Sequence, residues 1–223
     1  KKSYQLPTDN THPDSQWQIT KTISDAVNLA NTYPKGPVHV NIPLREPFYP
    51  EDTIKYSKEI RVIRSRQGKQ TLFAEELKQL YSEVKKYSKI LIIAGQGVYS
   101  DTLSYEIESW RTPVISEVIS NLATNECIIT AHDEYLKLEQ NDFQPDLLIT
   151  FGLSVLSKTL KTYLRKHKPS AHWHIQKTGA IAPDTFQSLT DVINCCPKDF
   201  FKHLRPGQTS DTWTDTWCDA EKK

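Results

Sequence analysis

The sequence predicts an α/β domain built on a doubly wound, mostly parallel sheet. Three observations lead there. Strand-like and helix-like segments alternate from about Ile60 onward; residues 89–94 and 146–152 are near-continuous apolar runs, as expected of strands covered on both faces; and the helical segments between strands are long enough to act as crossovers.

In order along the chain, residues 17–33 carry Ile19, Ile23, Ala26, Val27 and Ala30 at helical spacing behind Asp14 and Ser15, which are cap candidates. Lys35 and Gly36 end that helix. Residues 37–43 then form a short apolar run between prolines, read as one buried strand. Residues 44–57, with Pro47 and Pro50, show neither period and read as a linker between two domains. Residues 71–87 place Leu72, Leu77, Leu80, Tyr81 and Val84 on one helical face. The strand over 89–94 and the turn Gly95-Gln96-Gly97 lead into a helix over 100–110. Short strands are expected at 113–116 and 127–130 and a short helix at 133–140. The apolar strand at 146–152 precedes a helix over 157–167. Strands at 172–176 and 189–194 and a helix at 197–204, opened by Pro197, complete the set. In the tail, Trp213 and Trp217 share one face of a short helix with no strand after it.

Composition narrows the function. The chain has 223 residues, enough to bury a core, and its 37% hydrophobic and 25% charged content is that of an ordinary globular protein. A net charge of +1 removes the electrostatic case for nucleic acid or an acidic membrane, and no apolar run is long enough to span a bilayer. A cytoplasmic location is expected. Methionine is absent even at position 1, so the expectation is a piece of a longer chain. Cys127, Cys195, Cys196 and Cys218 form no CxxC pair, which argues against zinc and leaves reduced thiols as the default.

Few motifs carry chemistry. Gly95-Gln96-Gly97 sits between strand and helix, where backbone amides can hold a phosphate, but Ser100 replaces the third glycine of the dinucleotide fingerprint. Glu117 is read as failing to supply the acidic residue usual at the end of the next strand. The turn is either a nucleotide site or a plain tight turn. Ser157 and Lys158 open a helix at the sheet's carboxyl edge; Lys158 is either a fixed cation for a carboxylate or phosphate, or a solvated first-turn lysine. His172 and His174 are read as pointing to opposite faces of their strand, hence unable to share a metal. No catalytic, cofactor-binding or metal residue is assigned within the chain.

Gly36-Pro37-Val38-His39-Val40-Asn41-Ile42-Pro43, followed by Leu44-Arg45-Glu46-Pro47-Phe48-Tyr49-Pro50, resembles the end of the pyrimidine-binding domain in thiamine-diphosphate enzymes. His39, Asn41 and Glu46-Pro47-Phe48-Tyr49 are similar to the 2-succinyl-5-enolpyruvyl-6-hydroxy-3-cyclohexene-1-carboxylate synthases of menaquinone biosynthesis. Residues 90–97, 113–117 and 145–152 resemble the Rossmann-like central domain of these enzymes. Leu156-Ser157-Lys158-Thr159-Leu160 resembles a substrate-holding motif of the same synthases, with Thr159 where arginine is frequent.

The resemblance implies a pyrimidine-domain piece over 1–44, a linker over 45–59, a central domain over 60–207, and the start of a further linker over 208–223. It implies a transferase that adds a succinic-semialdehyde unit from 2-oxoglutarate to isochorismate, a homo-oligomer using thiamine diphosphate and magnesium. Lys158 and Ser157 are then substrate-binding residues. The family's activating glutamate and its Gly-Asp-Gly to Asn metal motif are absent from these residues, so this piece is expected to be inactive and to hold no cofactor itself. Alternatives are the central domain of an acetolactate-synthase-like enzyme, with flavin or nucleotide bound, and a non-catalytic regulatory or assembly module. Poor anchoring is expected before Leu44 and after Gln208, with Trp17, Trp213 and Trp217 exposed.

Overall fold

The structure, a computed structural model, describes residues 1–9, 11–44, 61–66, 68, 70–122, 128–138, 141–207 and 209–222. The chain divides into two units, Lys1–Lys69 and Gln70–Lys223. The linker expected at 45–59, with Glu46-Pro47-Phe48-Tyr49, lies outside the described residues, as does Cys127.

The first unit contains a βαβ arrangement. Strand β1 (Ser3–Gln5) pairs in parallel with β2 (His39–Asn41), and helix α1 (Pro13–Asn31) connects them. The helix begins earlier than its apolar periodicity suggests because Pro13 occupies its first turn and the His12 side chain accepts a hydrogen bond from the Asp14 amide at 3.2 Å. The cap is therefore His12, ahead of Asp14 and Ser15. Asn28 and Ser24 on α1 hold the backbone of Ile63 and Ser65. The strand expected there is present as β2, but it is only half-covered, with His39 and Asn41 exposed, and so is not the buried strand expected. Trp17 is exposed, as expected.

The second unit is a three-layer sandwich. In chain order its elements are α2 (Ala74–Val84), β3 (Ile90–Ala94), α3 (Asp101–Glu108), β4 (Val114–Ser116), β5 (Ile128–Ile129), α4 (His132–Tyr135), β6 (Leu147–Phe151), α5 (Lys158–Lys166), β7 (Ala171–Gln176), β8 (Asp191–Asn194), α6 (Pro197–His203) and α7 (Asp211–Glu221). The six strands form one all-parallel sheet in the order β5-β4-β3-β6-β7-β8. The chain thus runs outward from β3 in one direction, returns, and runs outward from β6 in the other. This is the doubly wound order, with its switch between β3 and β6.

Both faces of the sheet are covered, which is why β3 and β6 have no polar alternation. Ile90, Ile92 and Ala94 pack with Leu103, Ile107, Trp110, Phe200 and Phe201 on one side, and Leu91 and Ile93 pack with Leu160, Leu164 and Phe186 on the other. The tail differs from expectation. Trp213 and Trp217 are buried, because α7 lies on the second face with Trp217 4.9 Å from the Phe143 ring and the Trp213 indole donating to the Ile90 carbonyl at 3.0 Å. Cys218, on the same helix, is disulfide-bonded, where a reduced thiol was expected; Cys195 and Cys196 are free.

Candidate functional site

In an open parallel sheet, ligands usually lie at the carboxyl edge. The switch point itself is closed here. The Gly95 amide donates to Phe151 O at 2.7 Å, Gln96 to Ser154 O at 2.8 Å and Gly97 to Ile119 O at 3.2 Å, while Leu153 N returns a bond to Gln96 O at 2.9 Å. The three amides that could have cradled a phosphate are thus spent on the chain's own carbonyls. The Tyr99 hydroxyl caps the turn by donating to Gly95 O at 3.0 Å. Glycine is required at two places in this knot: a Cβ at Gly95 would stand 2.6 Å from Leu153 O, and Gly152 has φ +87° with a would-be Cβ 2.1 Å from the Tyr99 hydroxyl. Of the two sequence alternatives, the geometry is that of the tight turn.

The open space lies beside it, toward β4 and β5. A cavity of about 620 Å³ is lined by the ends of β4 and β5, by His132 and Asp133 of α4, and by the loop entering α5, with Leu156, Ser157 and Lys158. Glu117 directly follows β4, so the acidic position that the sequence reading denied does exist. Its role is different: the carboxylate accepts from the Leu156 amide at 2.5 Å and the Ser157 amide at 2.6 Å, tying the β4 loop to the start of α5. Ser157 is the N-cap of α5, its hydroxyl accepting from Leu160 N at 2.9 Å and bonding to Asp133.

Lys158 is the first residue of α5 and is exposed. It lines the cavity on one side, and on the other a smaller concavity of about 270 Å³ that also holds Lys137 and Lys166. The structure therefore brings Ser157 and Lys158 to the same cavity, with Ser157 committed to holding the helix and Lys158 presenting charge. The reading of Ser157 as a direct ligand contact has to share that hydroxyl with Asp133 and Leu160.

His132 escaped the sequence reading. Its ring is buried at the cavity wall, and among the described residues neither nitrogen has a hydrogen-bond partner. Burial holds its pKa below the ordinary 6.5, opposed by the negative charges of Asp133, Glu117 and Glu221. The nearest carboxylate oxygen, on Asp133, is 3.7 Å away, beyond hydrogen-bond distance. Glu221 itself is engaged, accepting from the Thr130 amide at 2.8 Å and from Ala131 at 3.0 Å.

The histidines of β7 correct a second expectation. His172 and His174 lie two residues apart and so share a face of the strand. Both rings reach the same Thr150 hydroxyl, His172 Nε2 at 2.9 Å and His174 Nδ1 at 2.8 Å, and His172 Nδ1 is 3.2 Å from Ser188 Oγ. Burial pushes both down to about 4, so both rings are neutral at pH 7. The space beside them is about 10 Å³, too small for a ligand.

Five large apolar side chains stand exposed on the loops of the carboxyl edge: Val98, Val118, Leu153, Leu156 and Ile181. Among the described residues no helix is long and apolar enough to cross a membrane.

No family model matches the chain. It is 35% identical over 223 residues to 2-succinyl-5-enolpyruvyl-6-hydroxy-3-cyclohexene-1-carboxylate synthase of Cytophaga hutchinsonii, covering 98% of this chain and 40% of that protein. The synthase of the same name from Bacteroides thetaiotaomicron is 34% identical, with 92% and 38% covered. Among solved structures, benzoylformate decarboxylase from Polynucleobacter necessarius aligns with a TM-score of 0.53 at 15% identity, covering 91% of this chain and 37% of that one. A candidate thiamin diphosphate-dependent enzyme from Mycobacterium smegmatis aligns at 0.56 and 15% identity, with 95% and 40% covered. At those identities the structural matches carry the α/β fold alone. The sequence matches carry more: over a stretch that makes up about two-fifths of its curated relatives' length, the chain belongs to the 2-succinyl-5-enolpyruvyl-6-hydroxy-3-cyclohexene-1-carboxylate synthase family.

Proposed function

We propose that this chain contributes the central domain, and part of the preceding pyrimidine-binding domain, to a synthase that adds a succinic-semialdehyde unit from 2-oxoglutarate to isochorismate. Residues 60–207 correspond to the central domain in this reading and 1–44 to the preceding piece. The observation that carries it is the identity over nearly the whole chain, joined to a cavity at the carboxyl edge where Lys158 has no ion-pair partner among the described residues.

Both substrates are dicarboxylates, so a site for either needs fixed positive charge. Lys158 supplies it from the first turn of α5, and Glu117 and Ser157 fix where that turn begins. The helix dipole adds a weaker positive potential at the same place. The exposed apolar loops around the cavity favour a neighbouring domain packing over this edge, which would exclude water and strengthen the lysine's field. A homo-oligomer fits the same need for cover.

Thiamine diphosphate and magnesium would belong to the complete enzyme. The described residues of this chain do not fit them: no group of three His, Cys, Asp or Glu side chains among these is placed to hold a metal ion, and the amides of the glycine turn are already bonded. No step of the reaction is therefore assigned to residues here beyond binding and orienting an acidic substrate.

The test is Lys158→Ala in the full-length protein. Loss of a charge-assisted contact should raise the Michaelis constant for one acidic substrate roughly ten- to a hundredfold. The melting temperature should barely move, because the side chain is exposed. Unchanged constants for both substrates would leave Lys158 a solvated lysine and this domain a scaffold.

A further inference from the structure

We propose that the concavity on the outer side of α5, between that helix and the 3₁₀ turn over Leu136–Leu138, is a binding site for a phosphate group, separate from the carboxyl-edge cavity. The proposal does not depend on what Lys158 binds in that cavity.

The groove, of about 270 Å³, is close to the lower end of small-molecule clefts. Lys137 enters it from the 3₁₀ turn, and Lys158, Thr159, Thr162 and Lys166 enter from α5. No Asp or Glu stands among the described lining residues. The side chains of Lys137 and Lys158 make no ion pair or hydrogen bond among the described residues, and the Thr159 and Thr162 hydroxyls are uncommitted in the same sense. Asp142 is near enough to act on the Tyr163 hydroxyl but does not line the groove.

The charge imbalance extends beyond the groove. Between Asp146 and Asp184 the sequence has no acidic residue and six basic ones, although the whole chain carries 27 acidic against 28 basic residues. On α5, Lys158 and Lys161 are three positions apart and Lys161 and Arg165 four apart, spacings at which like charges repel. The helix dipole favours Arg165 and Lys166 in the last turn and opposes Lys158 in the first. An anion lying on this face relieves both conflicts.

The donor types select the anion. A carboxylate holds two oxygens in one plane and is matched by the flat fork of arginine, and no arginine is among the described lining residues. Lysine is a compact point charge whose donors turn freely. Thr159 and Thr162, three apart on one helical face, add two neutral donors. Cations from two elements with hydroxyls beside them suit a tetrahedral group that carries up to two charges and three acceptor oxygens. Leu136 and Tyr163, both buried, give the floor apolar surface on which an organic substituent rests.

Inorganic phosphate, phenyl phosphate and benzoate are each titrated into the chain at pH 8 and low salt while the backbone amides are followed by NMR. Phenyl phosphate should bind saturably and about tenfold more tightly than benzoate, as one additional charge-assisted contact provides, with shifts centred on Lys137, Thr159 and Thr162. Lys137→Ala should weaken both phosphates about tenfold and Thr162→Val about threefold. Each variant should keep the wild-type melting temperature, because both side chains are exposed. Tighter binding of phenyl phosphate than of inorganic phosphate assigns the site to an ester and equal binding assigns it to free phosphate; both support the site. Equal affinities for phenyl phosphate and benzoate, phosphate shifts centred on Ser116 and Ile128 of the carboxyl-edge cavity, or phosphate affinities unchanged in both variants would overturn it, as would no saturable binding in the millimolar range. None of these results bears on Lys158 as a substrate cation, which the Michaelis constants of Lys158→Ala decide separately.

Discussion

Acid should unfold the second unit through the two histidines of β7. In the folded protein both rings are buried and both titrate at about 4, against 6.5 for a free side chain. Geometry explains why beyond burial alone. One Thr150 hydroxyl serves both rings, and it can donate to only one of them while accepting from the other; Ser188 takes the far nitrogen of His172. The relay is complete with one N–H per ring, and an added proton would leave a charged imidazolium desolvated inside the fold. The folded pKa lies below the unfolded one, so the unfolded chain takes up protons first. The stability contribution is therefore fully present above about pH 7.5 and is lost as pH falls through 6.5 toward 4. Between about pH 7.5 and about pH 5 each histidine should remove about 2 kcal/mol, about 4 for the pair, a large part of the ~5–15 kcal/mol that a domain commands. Urea unfolding across this range measures it, with the double variant His172→Gln/His174→Gln as reference. The double variant is less stable at neutral pH, but its curve should be flatter by that amount. Parallel curves for wild type and double variant would show that the two rings are not the acid-sensitive groups and would refute the argument.

Two further outcomes follow from packing. Gly152→Ala should destabilise the second unit by about 1–3 kcal/mol through backbone strain alone, with clashes against the Tyr99 hydroxyl and the Gly95 carbonyl oxygen added; combining it with Tyr99→Phe should relieve the clash with the hydroxyl but neither the backbone clash nor the strain, as read by thermal melts of the three variants. Trp217→Ala should cost about 3–5 kcal/mol, because the indole is fully buried among Phe143, Tyr135 and Trp213, and a variant as stable as wild type in urea would show that α7 is not part of the folded core.

The strands that carry the sheet were legible because burial on both faces leaves a simple mark: Ile90 to Ala94 and Leu147 to Phe151 contain almost nothing polar. The half-covered edges wrote a weaker one. Strand β1, three residues with Tyr4 between Ser3 and Gln5, gives no apolar run at all, and it exists because β2 lies beside it. The docking of α7 was hidden for a related reason. The four-residue spacing of Trp213 and Trp217 specifies a helical face, but only the folded sheet shows that an uncovered stretch of its second face awaits that helix. His172 and His174 were readable and misread, since residues two apart on a strand share a face.

The candidate site was legible only where a local pattern named it. Ser157 and Lys158 stand at a helix start next to an apolar strand. Glu117 and His132 depend on partners 39 or more positions away or on having no partner at all, and single-chain periodicity contains neither kind of information.

The clasp between Glu117 and the Leu156 and Ser157 amides has a consequence for how tightly this cavity can hold anything. Two loops that approach from different strands normally fluctuate independently, and a ligand bridging them must freeze that relative motion at the moment of association. Here one carboxylate has already joined them, so the opposing walls keep their spacing with the cavity empty. A small ligand then loses little affinity to ordering the protein around it, and even a modest set of contacts can yield selective binding.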